Sequence, residues 1–418
     1  MNRSFWLLWS ASTLSALGDG IRYVAFPLIA TTFSSDPRAV SLVFVAGYLP
    51  WPLFGLLGGA VSDWYDRRSL MLLVDLGRAV VMGAFAIAVA GVGGAIAVLM
   101  TVSFLIGTAE TVFDSSASAI VPQLVAPKDL ERANSWLFSA QAAASTLVGA
   151  VVGAVLFAVW RAGPLVTAAA CFLVAAVLVA ALAPVGRPAD SAGAADAADT
   201  VGAVRPGLAG DVLTGLRWLG RHRLLRTVCA LVTVLNGVTA VAEAVLVLYA
   251  GKVLNLGDLG YGVLLSVLAL STVAGSGVAP KVRKLTGYPG ALVGGAVLMG
   301  GAVLLAGLTS NLPAAITALT LAGLANGMWN VVAVSLRQRI VPEHLLGRVT
   351  SIYRTIALTA MPVGAGLSGV VAEHYGLHAP FVVGGLLLVA AGLASAPEIV
   401  SASRQLVFEG GDQAARTS

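Results

Sequence analysis

Asp19 and Arg22, Asp75 and Arg78, Glu110, Glu243 and Arg354 all stand inside long apolar runs of the sequence. A charge in hydrocarbon costs about 3 kcal/mol or more unless a partner, a water-filled cavity or a proton neutralises it. Asp19–Arg22 and Asp75–Arg78 are each three residues apart, so on a helix each acid reaches its own base. Asp75–Arg78 lies a turn or two inside its run and reads as a structural ion pair. Asp19–Arg22 lies deeper, where a structural and a functional role fit equally. Glu110 and Glu243 have no base within about a turn of sequence. Apolar surroundings favour the neutral form of a carboxyl, so either acid can carry a proton and exchange it where water arrives. The alternative is a permanently protonated acid bonded to a backbone carbonyl. Arg354 can meet any of these acids or extend to the membrane surface.

The elements that position these groups are transmembrane helices. Of 418 residues, 58% are hydrophobic and 11% are Asp, Glu, Lys or Arg, against roughly 25% charged in soluble domains. Mean hydropathy is +0.90, and apolar runs of about 20 residues recur, the length that crosses a bilayer. Spans are expected at 5–32, 39–62, 69–91, 94–120, 134–158 and 163–183, then at 226–251, 260–282, 288–309, 312–336, 348–372 and 378–397. The first run starts after Met-Asn-Arg and continues past Asp19 to Phe33 without a convincing small-residue cleavage site, so it reads as a span and not a signal peptide. The 48 glycines suit close helix packing in lipid. Gly149 and Gly153 form a small-residue packing pair, and Pro362 with Gly364 marks a bendable contact. Pro27, Pro50 and Pro52 mark possible kinks. Trp51, Trp136 and Trp329 read as route-lining or packing residues, and Trp6, Trp9 and Trp160 as interface residues.

Charge sorts the loops. With the N-terminus inside, nineteen of the 25 Lys and Arg residues fall in cytoplasmic segments, three outside and three within spans. Such a bias places both termini in the cytoplasm of a multi-pass cell-membrane protein. It also explains the net charge of +5 better than nucleic-acid binding does, since the basic residues are scattered. The expected organisation is an N-terminal six-helix bundle over 1–183, a cytoplasmic linker with an interfacial helix over 184–225, a C-terminal six-helix bundle over 226–400 and a cytoplasmic tail over 401–418. Residues 184–207 are rich in Pro, Ala, Gly and Asp and read as flexible. In 208–225, Leu208, Val212, Leu216 and Leu219 share a helical face beside Trp218 and several arginines, as in a helix lying at the membrane surface. The alternative is a polar start to the seventh span.

The halves repeat. A shift of 215 residues superimposes Gln123 on Gln338, Pro127 on Pro342, Leu130 on Leu345 and Gly149 on Gly364, and parallel six-helix repeats are a transporter architecture. Between spans 2 and 3 stands Gly59-Ala-Val-Ser-Asp63-Trp-Tyr-Asp66-Arg67-Arg68. This stretch resembles the loop 2–3 signature of the major facilitator superfamily, G-x-x-x-D-[RK]-x-G-[RK]-[RK], with Trp64 and Asp66 departing from it. FDSSASAIVPQLV, DLERANS and the repeat at 337–350 resemble the superfamily's bacterial exporter branch, which contains siderophore and drug exporters. The resemblance implies an all-α fold of twelve transmembrane helices in two pseudo-symmetric bundles. It also implies a latch in which Gly59, Asp63, Arg67 and Arg68 act with Asp114 at the inner end of span 4. The bland alternative is a loop that only orients the hairpin. The second-half counterpart, Gly277 to Lys284, keeps positive charge but has Lys281 where the first half has Asp63. Span 4 lacks the Arg, and span 5 the Gly-Pro pair, of many drug antiporters; Ala150 stands where the Pro would be.

The expected function is proton-coupled efflux of a hydrophobic or amphipathic small molecule by a monomer in lipid. Asp19, Arg22, Glu110, Glu243 and Arg354 then form the proton and substrate pathway. The alternatives are metabolite or lysolipid uptake or exchange on the same fold, and a non-transporting sensor or scaffold. Enzyme chemistry is disfavoured: the sequence holds no nucleophile–base constellation, metal-ligand spacing or phosphate loop, and no cofactor is expected beyond a proton gradient. His222, His344, His374 and His378 all fall at loop or helix ends, and Cys171 and Cys229 read as inert thiols in apolar spans.

Overall fold

The computed structural model describes residues 2–54, 66–91, 95–126, 129–182 and 208–417. In the first half, α1 is Arg3–Phe33, α2 is Pro37–Tyr48 with a helical continuation to 54, α3 is Arg67–Gly91 and α4 is Ile96–Leu124. Helix α5 comprises Leu130–Ala142, a π-helical stretch Ala143–Val148 and Gly149–Val159, and α6 is Gly163–Ala180. The short α7 is Leu208–Arg221. The second half follows with α8 Arg223–Lys252, α9 Asp258–Leu308, α10 Leu312–Ile340, α11 Glu343–Tyr375 and α12 Ala379–Thr417. Nine of the described helices are long and apolar enough to cross a bilayer. One of them, α9, is two spans joined at Gly287, and α1 and α2 complete the twelve.

Local chemistry sets the ends. The Asp36 carboxylate accepts from the Arg38 amide and Pro37 occupies the first turn, which starts α2. Asn311 caps α10 in the same way, accepting from the Ala314 amide. Gly287 turns the chain between the limbs of α9 at φ 71°, a left-handed value that disfavours any side chain. His222 separates α7 from α8 with φ −88° and ψ 97°, and its ring nitrogen accepts from the Leu225 amide. The helix over 208–221 is therefore distinct from the seventh span. It packs on α11, with Gly215 against Ile352 and Leu219 buried, while Leu216 is exposed. Helix α12 continues through Pro397 to Thr417, and α11 begins at Glu343, each beyond its expected span. Hydropathy marks where lipid contact ends, not where a helix ends.

The halves repeat in packing as well as in sequence. A Cβ on Gly149 of α5 would lie 2.7 Å from the Gly20 Cα of α1. In the second half, Gly364 of α11 meets the Gly237 carbonyl of α8 in the same close crossing. Gly153 continues the first crossing, where a Cβ would lie 2.9 Å from the Ile21 carbonyl oxygen. Pro362 lies within α11 without interrupting it. Contacts between the halves run mainly through α2 with α11 and α5 with α9.

These contacts concentrate on the face away from the termini. There Arg38 pairs with Glu373, Lys252 Nζ donates to the Ser35 carbonyl at 3.0 Å, and Gly369 packs on Ser41. Toward the terminal face the halves part.

Candidate transport site

Separation of the halves leaves a cavity of about 1110 Å³, lined from α1, α4 and α5 on one side and α11 on the other. It runs from mid-depth, at Asp19, Trp51 and Glu110, to Asn134 and Thr350 near the terminal face. Asp114 and Arg354 face it from opposite halves. Among the described residues neither has an ion-pair partner within 4 Å, so water in the cavity must solvate both.

The charges of α1, α3 and α4 form one network. Arg78 Nη2 lies 3.1 Å from Asp19 Oδ2, and Arg78 Nη1 lies 3.4 Å from Asp75 Oδ1 and 2.9 Å from Ser15 Oγ. Arg22 Nη2 lies 3.3 Å from Asp19 Oδ1 and 2.8 Å from Glu110 Oε2. Both sequence pairs are thus present, but Asp19 bridges them and Arg22 carries the link to Glu110. The side chains of Asp75 and Arg78 are fully buried, whereas that of Glu110 is 24% exposed toward the cavity. The Phe172 ring, 4.7 Å from the Arg78 guanidinium carbon, completes its seat. Three carboxyls share two guanidiniums here, and adding Asp114 and Arg354 leaves the same excess of one acid.

Glu243 of α8 sits across the cleft. Its Oε2 accepts from the Tyr23 hydroxyl of α1 at 2.6 Å and from the Tyr48 hydroxyl of α2. The two hydroxyls are 3.0 Å apart. No base lies within 4 Å of Glu243 among the described residues. A smaller pocket of about 100 Å³ is lined by Arg22, Tyr23, Tyr48, Trp51 and Glu110, so it adjoins both the network and the tyrosine pair. Sequence reasoning missed both tyrosines, since an aromatic in an apolar span carries no distinguishing pattern. It also missed the π-helical stretch of α5, whose Ser145 and Thr146 line the cavity and whose backbone abuts Gly20. Such bulges recur at functional sites.

The other predicted residues divide. Gly59 and Asp63 lie outside the described residues. Arg67 donates to the Ala119 carbonyl of α4 at 2.9 Å, five residues from Asp114, and Arg68 donates to the Val179 carbonyl of α6 at 3.2 Å. Trp51 lines the cavity. Trp329 is buried, with its indole nitrogen donating to the Leu292 carbonyl, and is a packing residue. Trp136 stacks edge-on against Trp6 on the exposed surface. Cys171 and Cys229 are both buried and free. No cluster suited to a metal ion occurs among the described residues.

A family described as transmembrane secretion effectors, a branch of the major facilitator superfamily, matches residues 1–406. The chain belongs to this family. It is therefore a membrane transporter and not an enzyme. It is 26% identical over 391 residues to the multidrug efflux pump Tap of Mycolicibacterium fortuitum, covering 90% of each chain. It is 22% identical over 391 residues to macrolide efflux protein A of Streptococcus pyogenes, covering 92% of this chain and 93% of that one. In fold it resembles a bacterial homologue of the human lysosomal transporter Spinster in an inward-facing, unoccupied conformation (TM-score 0.73, 15% identity, 98% of each chain).

Removing one partner from a buried ion pair costs about 3–5 kcal/mol, because the other charge is stranded. Arg78→Gln is therefore expected to lower the thermal midpoint in detergent sharply, and adding Asp75→Asn to recover part of the loss. An unchanged midpoint in the single variant would show that Asp75 and Asp19 do not depend on Arg78.

Proposed function

We propose that this chain exports amphipathic small molecules, macrolide-like or cationic, by proton-coupled alternating access. The observation that carries the proposal is a cavity of about 1110 Å³ bordered by a charge network with one carboxyl in excess and closed at its far end by cross-half contacts. The names of the relatives support export. The positive-inside charge bias supports cytoplasmic termini, which makes this conformation inward-open.

The excess acid gives the mechanism its logic. In a low-dielectric site an uncompensated carboxylate is costly, and a proton or a cationic group on the substrate neutralises it equally well. One site that takes either, but not both, couples their movements in opposite directions. Glu110 exchanges with the cavity, Arg22 and Asp19 pass the change in charge to Arg78, and Arg354 faces the same water from the other half. Glu243 holds the tyrosines of α1 and α2 only while the far face is closed, so opening that face exposes it. Asp63, Arg67 and Asp114 form the latch of the opposite state. The transporter works as a monomer, and the proton gradient is its only energy source.

Proteoliposomes with an imposed proton gradient are expected to move a macrolide or an amphipathic cationic dye against its gradient, and Glu110→Gln and Glu243→Gln each to abolish that coupling. Transport by both variants with unchanged pH dependence would remove the two acids from the proton path. For the latch, Asp63→Asn is expected to increase thiol labelling of a cysteine placed at Asn134 on the cavity wall. Unchanged labelling would leave the loop only a topogenic role.

A further inference from the structure

The second half contains a polar pocket that the transport route does not use. Between the turn of α9 and the last turns of α10 lies a cavity of about 300 Å³, lined by Arg283, Tyr288, Ser335 and Arg339 over a floor that includes Ala279 and Val332. Every polar side chain in it is a donor. The Arg283 guanidinium lies 5.3 Å from the Tyr288 ring centroid, which orients it without satisfying its N–H groups. Among the described residues neither arginine has a carboxylate within 4 Å, and the hydroxyls of Ser335 and Tyr288 make no hydrogen bond.

The sequence explains why no internal acid fills the pocket. From residue 259 to residue 342 the chain contains no Asp or Glu, yet it carries Lys281, Arg283, Lys284, Arg337 and Arg339. This is the stretch where the second-half copy of the loop 2–3 motif has exchanged its acid for Lys281. An acceptor for these donors must therefore come from outside the stretch. The pocket lies at the helix ends on the terminal face, with Leu285 projecting 84% exposed beside it. At that depth a bilayer presents phosphate groups, and basic pockets between transmembrane helices are suited to anionic headgroups.

We propose that the Arg283–Arg339 pocket is a binding site for a phosphate-bearing anion, supplied by the headgroup of an anionic phospholipid. One phosphate takes two guanidiniums and two hydroxyls, while Leu285 and the adjoining helix surface meet the acyl chains. The occupied site ties the α9 turn to the end of α10.

The test uses the full chain in detergent, with native mass spectrometry of added phosphatidylglycerol, phosphatidylcholine or inorganic phosphate. Wild type is expected to retain phosphatidylglycerol in preference to phosphatidylcholine. R283Q and R339Q are each expected to weaken retention about fivefold, the equivalent of about 1 kcal/mol per basic residue near an anionic surface. K281Q with K284Q, which removes twice as much charge outside the pocket, is expected to weaken it less. Retention of inorganic phosphate as strong as that of the lipid would assign the site to free phosphate. Equal retention of both lipids, or equal losses in the pocket and control variants, would overturn the proposal. Thermal midpoints of the lipid-free variants separate lost binding from misfolding.

Discussion

A charge kept inside a bilayer must be paired, hydrated or neutralised, and that constraint organises the first half of this molecule. Arg78 and Arg22 draw Asp75, Asp19 and Glu110 into one network spanning α1, α3 and α4, and the cost of stranding any member holds the three helices together. The deepest part, Asp75 with Arg78, is fully buried and ion-paired, although Asp75 Oδ2 and Arg78 Nε are left without hydrogen-bond partners. Exposure rises toward Glu110, and among the described residues Asp114 and Arg354, which face the cavity, have no ion-pair partner within 4 Å. Full burial thus gives way to exposure along the line from Asp75 to Glu110.

The halves share helix crossings but not chemistry. Glycine pairs at Gly20–Gly149 and Gly237–Gly364 place the same close contact in each. The network belongs wholly to the first half, whereas the second contributes Glu243, Arg354 and a long acid-free stretch. Glu243 is held by two tyrosines from the first half, so its hydrogen bonds depend on how the halves sit. That asymmetry leaves the buried charge network in one half and the acceptor of the cross-half hydrogen bonds in the other.

Much of this was legible in the sequence, for identifiable reasons. Twelve spans follow from the length of the apolar runs, and the i, i+3 pairs follow from helix geometry. Asp114 sits near the inner end of span 4, and the structure puts it on the cavity wall. The Arg22–Glu110 link was not legible, because 88 residues separate its members. The pairing of Arg38 with Glu373 was hidden too, since nothing in their local sequence says that two helix ends meet. Tyr23 and Tyr48 were hidden for a different reason: their hydroxyls matter only because Glu243 arrives from the other half. Helix boundaries ran long at α11 and α12 because hydrogen bonding continues after the apolar signal stops.

Alternating access requires the open cavity and the closed far face of this structure to exchange roles in a second state. Pulsed electron spin distances test it most directly in reconstituted protein, with one label pair at Asn134 and Ser351 across the cavity and another at Val159 and Leu259 on the far face. Two populations of opposite sense are expected, the far-face distance lengthening wherever the cavity distance shortens, with a shift between them when a proton gradient is imposed. Distances that stay fixed, or that lengthen together, would contradict it.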